Sequence, residues 1–180
     1  MKKTDICSII ITMSTERKIT KNKSAEKTNV IRLLESAGIN FRTQSYEYDE
    51  NDLSGGHVAR TIGMPEEQVF KTLVTRSASG AFRVFCLPVC CELDLKKAAR
   101  AAGEKSVSMI QVKELLSVTG YIRGGCSPVG MKKPFPTVID ETAMLWDEIA
   151  VSAGKRGLQV ILKPCDLIGY ISAVCADICE

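Results

Sequence analysis

This chain has one histidine in 180 residues, so any Ser-His or Cys-His pair must use His57, which sits beside Gly55-Gly56 and far in sequence from a suggestive nucleophile. Common catalytic signatures are missing as well: there is no GxSxG, no Walker loop, no HExxH and no GxGxxG. No CxxC pair occurs among the eight cysteines, which argues against a zinc site. No apolar run approaches the ~18 residues of a membrane span. No Pro- or Ser-rich linker and no fixed-period repeat divides the chain.

What is present fits a globular domain. The chain is 45% apolar and 25% charged, and at this length a core can form without disulfides or a structural metal. The net charge of +3 is unevenly placed: Met1 to Lys23 holds six Lys/Arg against Asp5 and Glu16, so the remainder sums to −1. A broad basic face for nucleic acid is therefore not indicated, which leaves room for a local cluster. Ile6 to Met13 follows Lys2-Lys3, yet Asp5 interrupts the basic region and no small-x-small cleavage site precedes Glu16-Arg17-Lys18. The expected organisation is a mobile basic tail over residues 1–23 and one domain over residues 24–180, in a cytoplasmic protein with reduced thiols.

Periodicity places helices and strands along that domain. Val30, Leu33, Leu34 and Ala37 predict a helix ending at Gly38, and Asn40 to Tyr48 alternates like a strand. A short helix runs through Val58, Ala59 and Ile62, followed by a hairpin of Val69–Thr75 and Phe82–Leu87 around Ala78-Ser79-Gly80. Asp94 caps a helix that stops at Gly103, and a second helix runs from Gln111 to Gly120. Pro136–Asp140 reads as a strand, Glu148–Ser152 and Leu158–Leu162 as a hairpin, Asp166–Ile171 as a helix and Ser172–Ile178 as a last strand. Hairpins interspersed with short helices exclude a doubly wound parallel sheet. The expected fold class is mixed α/β (α+β): one domain with a curled, barrel-like mixed sheet surrounded by helices.

Two features suggest chemistry. Lys71 interrupts an apolar strand, where a lysine commonly faces solvent over its aliphatic stem. Gly124-Gly125-Cys126-Ser127-Pro128 reads as a turn, but one whose glycines let consecutive backbone N–H groups converge on an oxyanion.

These segments, with their neighbours, resemble the YbaK family of bacterial deacylases related to the editing domain of prolyl-tRNA synthetase. The resemblance runs in order through Ser45-Tyr46-Glu47-Tyr48-Asp49, Val69-Phe70-Lys71-Thr72-Leu73, Leu93 to Ala99, Thr119 to Pro128, Pro136 to Asp140 and Val151 to Leu158. It implies an enzyme that acts in trans on the acceptor end of mischarged aminoacyl-tRNA, Cys-tRNA(Pro) first and Cys-tRNA(Cys) second, with no cofactor, no metal and no membrane. A synthetase pocket built for proline cannot strongly exclude cysteine or alanine, so editing is the remedy. On the family's pattern Lys71 positions the terminal ribose or phosphate, Tyr46 orients the amino acid, and Gly124, Gly125, Cys126, Ser127 and Pro128 bind the ester carbonyl as charge develops. The substrate's own thiol attacks that carbonyl. Arg123, Lys132, Lys133, Lys155 and Arg156 flank these segments as the tRNA-binding cluster, and association with prolyl-tRNA synthetase would supply tRNA choice.

Two positions depart from the family's pattern. Cys126 stands where relatives more often carry an aliphatic residue, which raises the option of an acyl-accepting thiol of lowered pKa. Gln159 stands where relatives often carry an acid, which removes a contact for the substrate's ammonium. The alternatives are an Ala-tRNA(Pro) hydrolase that activates water and a binding module without turnover.

Overall fold

The computed structural model describes residues 27–180; the basic tail expected over residues 1–23 lies outside them. Among the described residues five α-helices form where capping and apolar spacing agree. α1 (Asn29–Ser36) starts at Thr28, whose hydroxyl accepts from the Ile31 amide at 3.3 Å, and buries Val30, Ile31 and Leu34. Ser54 caps α2 (Gly55–Ile62), and the Asp94 carboxylate accepts from the Lys96 and Lys97 amides at the head of α3 (Leu95–Ala101). α4 (Val112–Thr119) lies between Gln111 and Gly120. α5 (Pro164–Ile171) begins earlier than the expected Asp166, because Pro164 fits the first turn, where its missing N–H leaves nothing unpaired.

The strands are β1 (Phe41–Ser45), β2 (Phe70–Ser77), β3 (Phe82–Pro88), β4 (Val107–Met109), β5 (Thr137–Asp140), β6 (Ile149–Ser152), β7 (Leu158–Leu162) and β8 (Val174–Ala176). β1 stops at Ser45, so Tyr46 to Tyr48 leave the ladder that periodicity alone extends to Tyr48. β4 was not expected: three residues are too few for a period to show.

Where one curled, barrel-like sheet was expected, the strands divide into two. β1, β7 and β6 form an antiparallel three-stranded sheet, and the other sheet has the order β4-β2-β3-β5-β8. β2 pairs antiparallel with β3 and β4, whereas β3–β5 and β5–β8 are parallel, so the mixed character holds. A single parallel bridge between Val69 and Ala150 joins the two sheets.

The core explains the division. Val84 and Cys86 of β3 enter a large apolar cluster that also takes Val30 and Leu34 of α1 and Ile149, Val151 and Val160 of the smaller sheet. Phe85 and Leu87, pointing the other way, pack with Ala98 and Ala99 of α3. α2 covers the outer face of the smaller sheet through Ala59 and Ile62 against Ala150 and Ile161. Both sheets are thus buried on two faces. β2 starts beside the bridge to β6, which puts Lys71 at the seam between the sheets.

Candidate active site

A cleft of about 550 Å³ opens along that seam. Lys71 and Thr72 of β2 line it, with Gln159 of β7 and Ser152 of β6 beyond them, Gly55 and Val58 of α2 on one side, and Arg123, Gly124 and Cys126 on another. Met109 of β4 with Val112 and Leu115 of α4 complete an apolar wall that the sequence did not announce, because it forms only where these two elements meet the cleft. Val112 is 61% exposed, and an apolar residue so placed at the head of α4 was the available signal.

The charges in this cleft are of one sign. Lys71 and Arg123 are cations, and among the described residues lining it there is no aspartate, glutamate or histidine. The Lys71 ammonium faces Glu92 at 3.2 Å, but that carboxylate is 76% exposed and lies outside the cleft. No group of three or more His, Cys, Asp or Glu among the described residues is placed to hold a metal ion.

The glycine pair has two separate physical causes. Gly124 takes φ +82° in a turn that the Gly125 N–H closes on the Ile122 carbonyl at 3.0 Å. Gly125 lets the loop lie against the β6–β7 turn: a Cβ there would sit 3.1 Å from Lys155 Cα and 3.2 Å from the Arg156 nitrogen. The Gly125 amide is therefore committed to the turn. The amides of Gly124 and Cys126, both cleft residues, make no hydrogen bond among the described residues. Ser127 is fully buried, its hydroxyl accepting from the Val129 amide at 3.3 Å, and Pro128 is buried beside it. Neither Ser127, Pro128 nor Gly125 lines the cleft; they hold the loop from beneath.

Cys126 sits in the main core cluster at 9% exposure, and burial pushes its thiol up to about 12 against a hydrogen bond with Thr119. At neutral pH a thiolate of that pKa is about one part in 10⁵, so the option of an activated nucleophile there finds no support. Tyr46 lies behind the cleft, its hydroxyl receiving the Gln159 side-chain amide at 3.5 Å. Gln159 is itself 95% removed from solvent, its relative exposure being 5%. His57 points its Nδ1 at Asp52 Oδ2, 3.7 Å away, beside a recess of about 10 Å³ that has room for a water at most.

Of the five flanking cations, three come together. Arg156 Nε donates to the Arg123 carbonyl at 2.9 Å, and Lys155 precedes it under Gly125. Lys132 and Lys133 are engaged elsewhere, the first donating to the Ser117 carbonyl at 3.1 Å and the second over the Phe135 ring at 5.7 Å.

The aminoacyl-tRNA editing domain matches residues 55–170, a span that holds Lys71, the Gly124–Pro128 loop and Gln159. EbsC of Enterococcus faecalis (strain ATCC 700802 / V583), named as a candidate Cys-tRNA(Pro)/Cys-tRNA(Cys) deacylase, is 42% identical over 158 residues, 88% of this chain and 96% of that protein. Among solved structures, the hypothetical protein APE2540 superposes with a TM-score of 0.77 at 22% identity, over 84% of this chain and 99% of that one. A candidate trans-editing enzyme for prolyl tRNA synthetase superposes with a TM-score of 0.71 at 24% identity, over 85% and 98% of the two chains. These two structures share the fold, and the sequence matches give the kinship: the chain belongs to the aminoacyl-tRNA editing domain family.

Proposed function

We propose that this protein is an aminoacyl-tRNA deacylase that acts in trans in the cytoplasm and clears Cys-tRNA(Pro), with Cys-tRNA(Cys) as a further substrate. The observation that carries the reading is the one-sided charge of the cleft. Hydrolysis by activated water needs a general base, and the lining offers no carboxylate, no imidazole and no thiol of lowered pKa. It offers two cations and free backbone N–H groups, which favour an anion and an oxyanion rather than a proton acceptor. A substrate that brings its own nucleophile suits such a site, and a cysteinyl ester does. The 42% identity to EbsC supports the same substrate class.

In the proposed reaction the substrate thiol loses its proton to solvent and its sulfur attacks the ester carbonyl carbon. A C–S bond forms, the C–O bond to the terminal ribose breaks, and the ribose oxygen takes up a proton, freeing tRNA. The cyclic thioester left behind is then opened by water to cysteine. Lys71 holds the ribose or phosphate, and the amides of Gly124 and Cys126 receive the carbonyl oxygen as it becomes negative. Gln159, backed by Tyr46, offers its carbonyl oxygen to the α-ammonium group. Arg123, Lys155 and Arg156 meet the acceptor end. Binding confined to that end discriminates weakly between tRNAs, and docking on prolyl-tRNA synthetase supplies the choice.

The test is release of amino acid from Cys-tRNA(Pro), Ala-tRNA(Pro) and S-alkylated Cys-tRNA(Pro). Cleavage restricted to the free-thiol substrate is expected. Clearance of the alanyl ester points to a water-activating hydrolase, and binding with no cleavage of any ester points to a module without turnover.

A further inference from the structure

A second groove of about 550 Å³ lies next to the cleft, bordered by Tyr46, Lys155 and Arg156 and holding none of the groups placed at the ester itself. The end of β1 and the residues after it, Ser45 to Tyr48, form one bank, and Lys155 to Leu158, where the β6–β7 turn enters β7, form the other. Tyr48 is 44% exposed, a large aromatic surface in a chain with little of it. Gly157 leaves space for that ring: a Cβ there would lie 3.1 Å from Tyr48 Cδ1 and 3.0 Å from the Tyr46 carbonyl oxygen.

Groove and cleft are neighbours, separated by a recess too small for more than a water. The small recess between them is lined by Tyr46, Tyr48 and Arg156 on the groove side and by Leu53, Val58 and Gly124 on the cleft side. The hydrogen bond from Arg156 to the Arg123 carbonyl ties a cation of the groove to the loop that lines the cleft. Any polymer whose 3′ end lies in the cleft must leave it over the surrounding surface, and on this side that surface presents an aromatic ring and cations together.

We propose that the groove binds the unpaired nucleotides that precede the terminal adenosine, one base stacking on Tyr48 and a backbone phosphate facing Lys155 and Arg156. The inference rests on the cleft being the ester site. Every base has a π-face, so such a platform accepts single-stranded RNA with little regard to sequence. Glu47 lines the same groove and Glu50 approaches Arg156 at 4.0 Å, so the local field is mixed and stacking supplies most of the affinity.

The experiment measures binding of an uncharged tetranucleotide ending in CCA, and of adenosine monophosphate, to the wild type, Tyr48→Ala and Tyr48→Phe by fluorescence anisotropy. Tyr48→Ala is expected to weaken tetranucleotide binding on the order of tenfold, while Tyr48→Phe keeps it, since the ring and not the hydroxyl is used. Equal tetranucleotide affinity in wild type and Tyr48→Ala overturns the proposal, as does Tyr48→Phe behaving like Tyr48→Ala. In the unaltered protein, 4-thiouridine placed next to the terminal adenosine is expected to crosslink to the peptide containing Tyr48; crosslinks only to other peptides overturn it. Turnover of Cys-tRNA(Pro) is assayed separately. Tyr48-dependent binding without turnover sinks the deacylase reading alone, and turnover without Tyr48 dependence sinks the groove alone.

Discussion

The ammonium of Lys71 stands 3.2 Å from Glu92 Oε1, a carboxylate three-quarters exposed, while the lysine itself faces a cleft with no acid of its own. An exposed pair of this kind contributes about 0–1 kcal/mol, so Glu92 is a weak anchor that a substrate phosphate or ribose can displace. Lys71→Ala is expected to lower kcat/KM for Cys-tRNA(Pro) by about 10²–10³, the loss typical of removing one positioned electrostatic group. Glu92→Gln should change it by less than about threefold and leave the melting temperature nearly unmoved. Steady-state deacylation with both variants checks this, and a Glu92→Gln loss as large as that of Lys71→Ala would make the pair a unit.

Cys126 is a core residue with its thiol raised to about 12. Cys126→Ala is expected to keep the deacylation rate within a few-fold and to cost about 1 kcal/mol of stability through the lost sulfur contacts. The rate should also show no titration of Cys126 between pH 6 and pH 9, because a group at about 12 stays protonated across that window. Complete loss of turnover in Cys126→Ala, with an unchanged melting temperature, would put the nucleophile in the protein.

The two loop glycines separate in their response. Gly124→Ala strains a residue at φ +82°, whereas Gly125→Ala drives a methyl group into the Lys155 backbone at 3.1 Å. Both should destabilise by about 1–3 kcal/mol, and both should lose activity beyond that cost by moving the Cys126 amide. Activity measured well below the melting temperature of each variant distinguishes loop displacement from unfolding.

Gln159 lines the cleft and its side-chain amide meets the Tyr46 hydroxyl; in the proposed reaction its carbonyl oxygen is the neutral acceptor for the α-ammonium group. Gln159→Glu supplies a charged acceptor, and charge-assisted hydrogen bonds exceed neutral ones by about 1 kcal/mol. KM for the cysteinyl ester is expected to fall about fivefold at neutral pH, with kcat less affected. An unchanged KM would locate the ammonium away from Gln159.

Asp140 joins β5 to the C-terminal segment: its carboxylate accepts from the Thr142 amide at 3.1 Å and from the Ile178 amide at 3.1 Å. Burial opposes its ionisation, but these bonds with the Thr142 hydroxyl prevail and hold its pKa below the usual carboxylate value. A carboxyl group depressed on folding adds stability above its unfolded pKa and loses that contribution as the pH falls through the folded value. Acid unfolding below about pH 4 should therefore weaken in Asp140→Asn, while at pH 7 that variant is less stable by about 1–3 kcal/mol. Denaturant midpoints at pH 7 and pH 3.5 measure both.

Much of this molecule was determined by local chemistry in the chain. Thr28 and Asp94 cap helices, Gly38, Gly103 and Gly120 end them, and the apolar, β-prone run Phe82–Leu87 marks a strand. Lys71 and the Gly124-Gly125 pair also stand out in sequence, because a cation in an apolar strand and two adjacent glycines break local rules. Other features depend on packing between distant segments. β4 is too short to announce itself, the two sheets meet through one bridge between Val69 and Ala150, and the groove exists because Tyr46 to Tyr48 meet the β6–β7 turn. Tertiary structure alone assigned the second glycine to backbone contact with Lys155, placed Cys126 in the core and left the cleft with cations only. Propensity and capping act within a few residues along the chain, whereas burial, charge balance and the supply of free N–H groups depend on what the fold brings from far away.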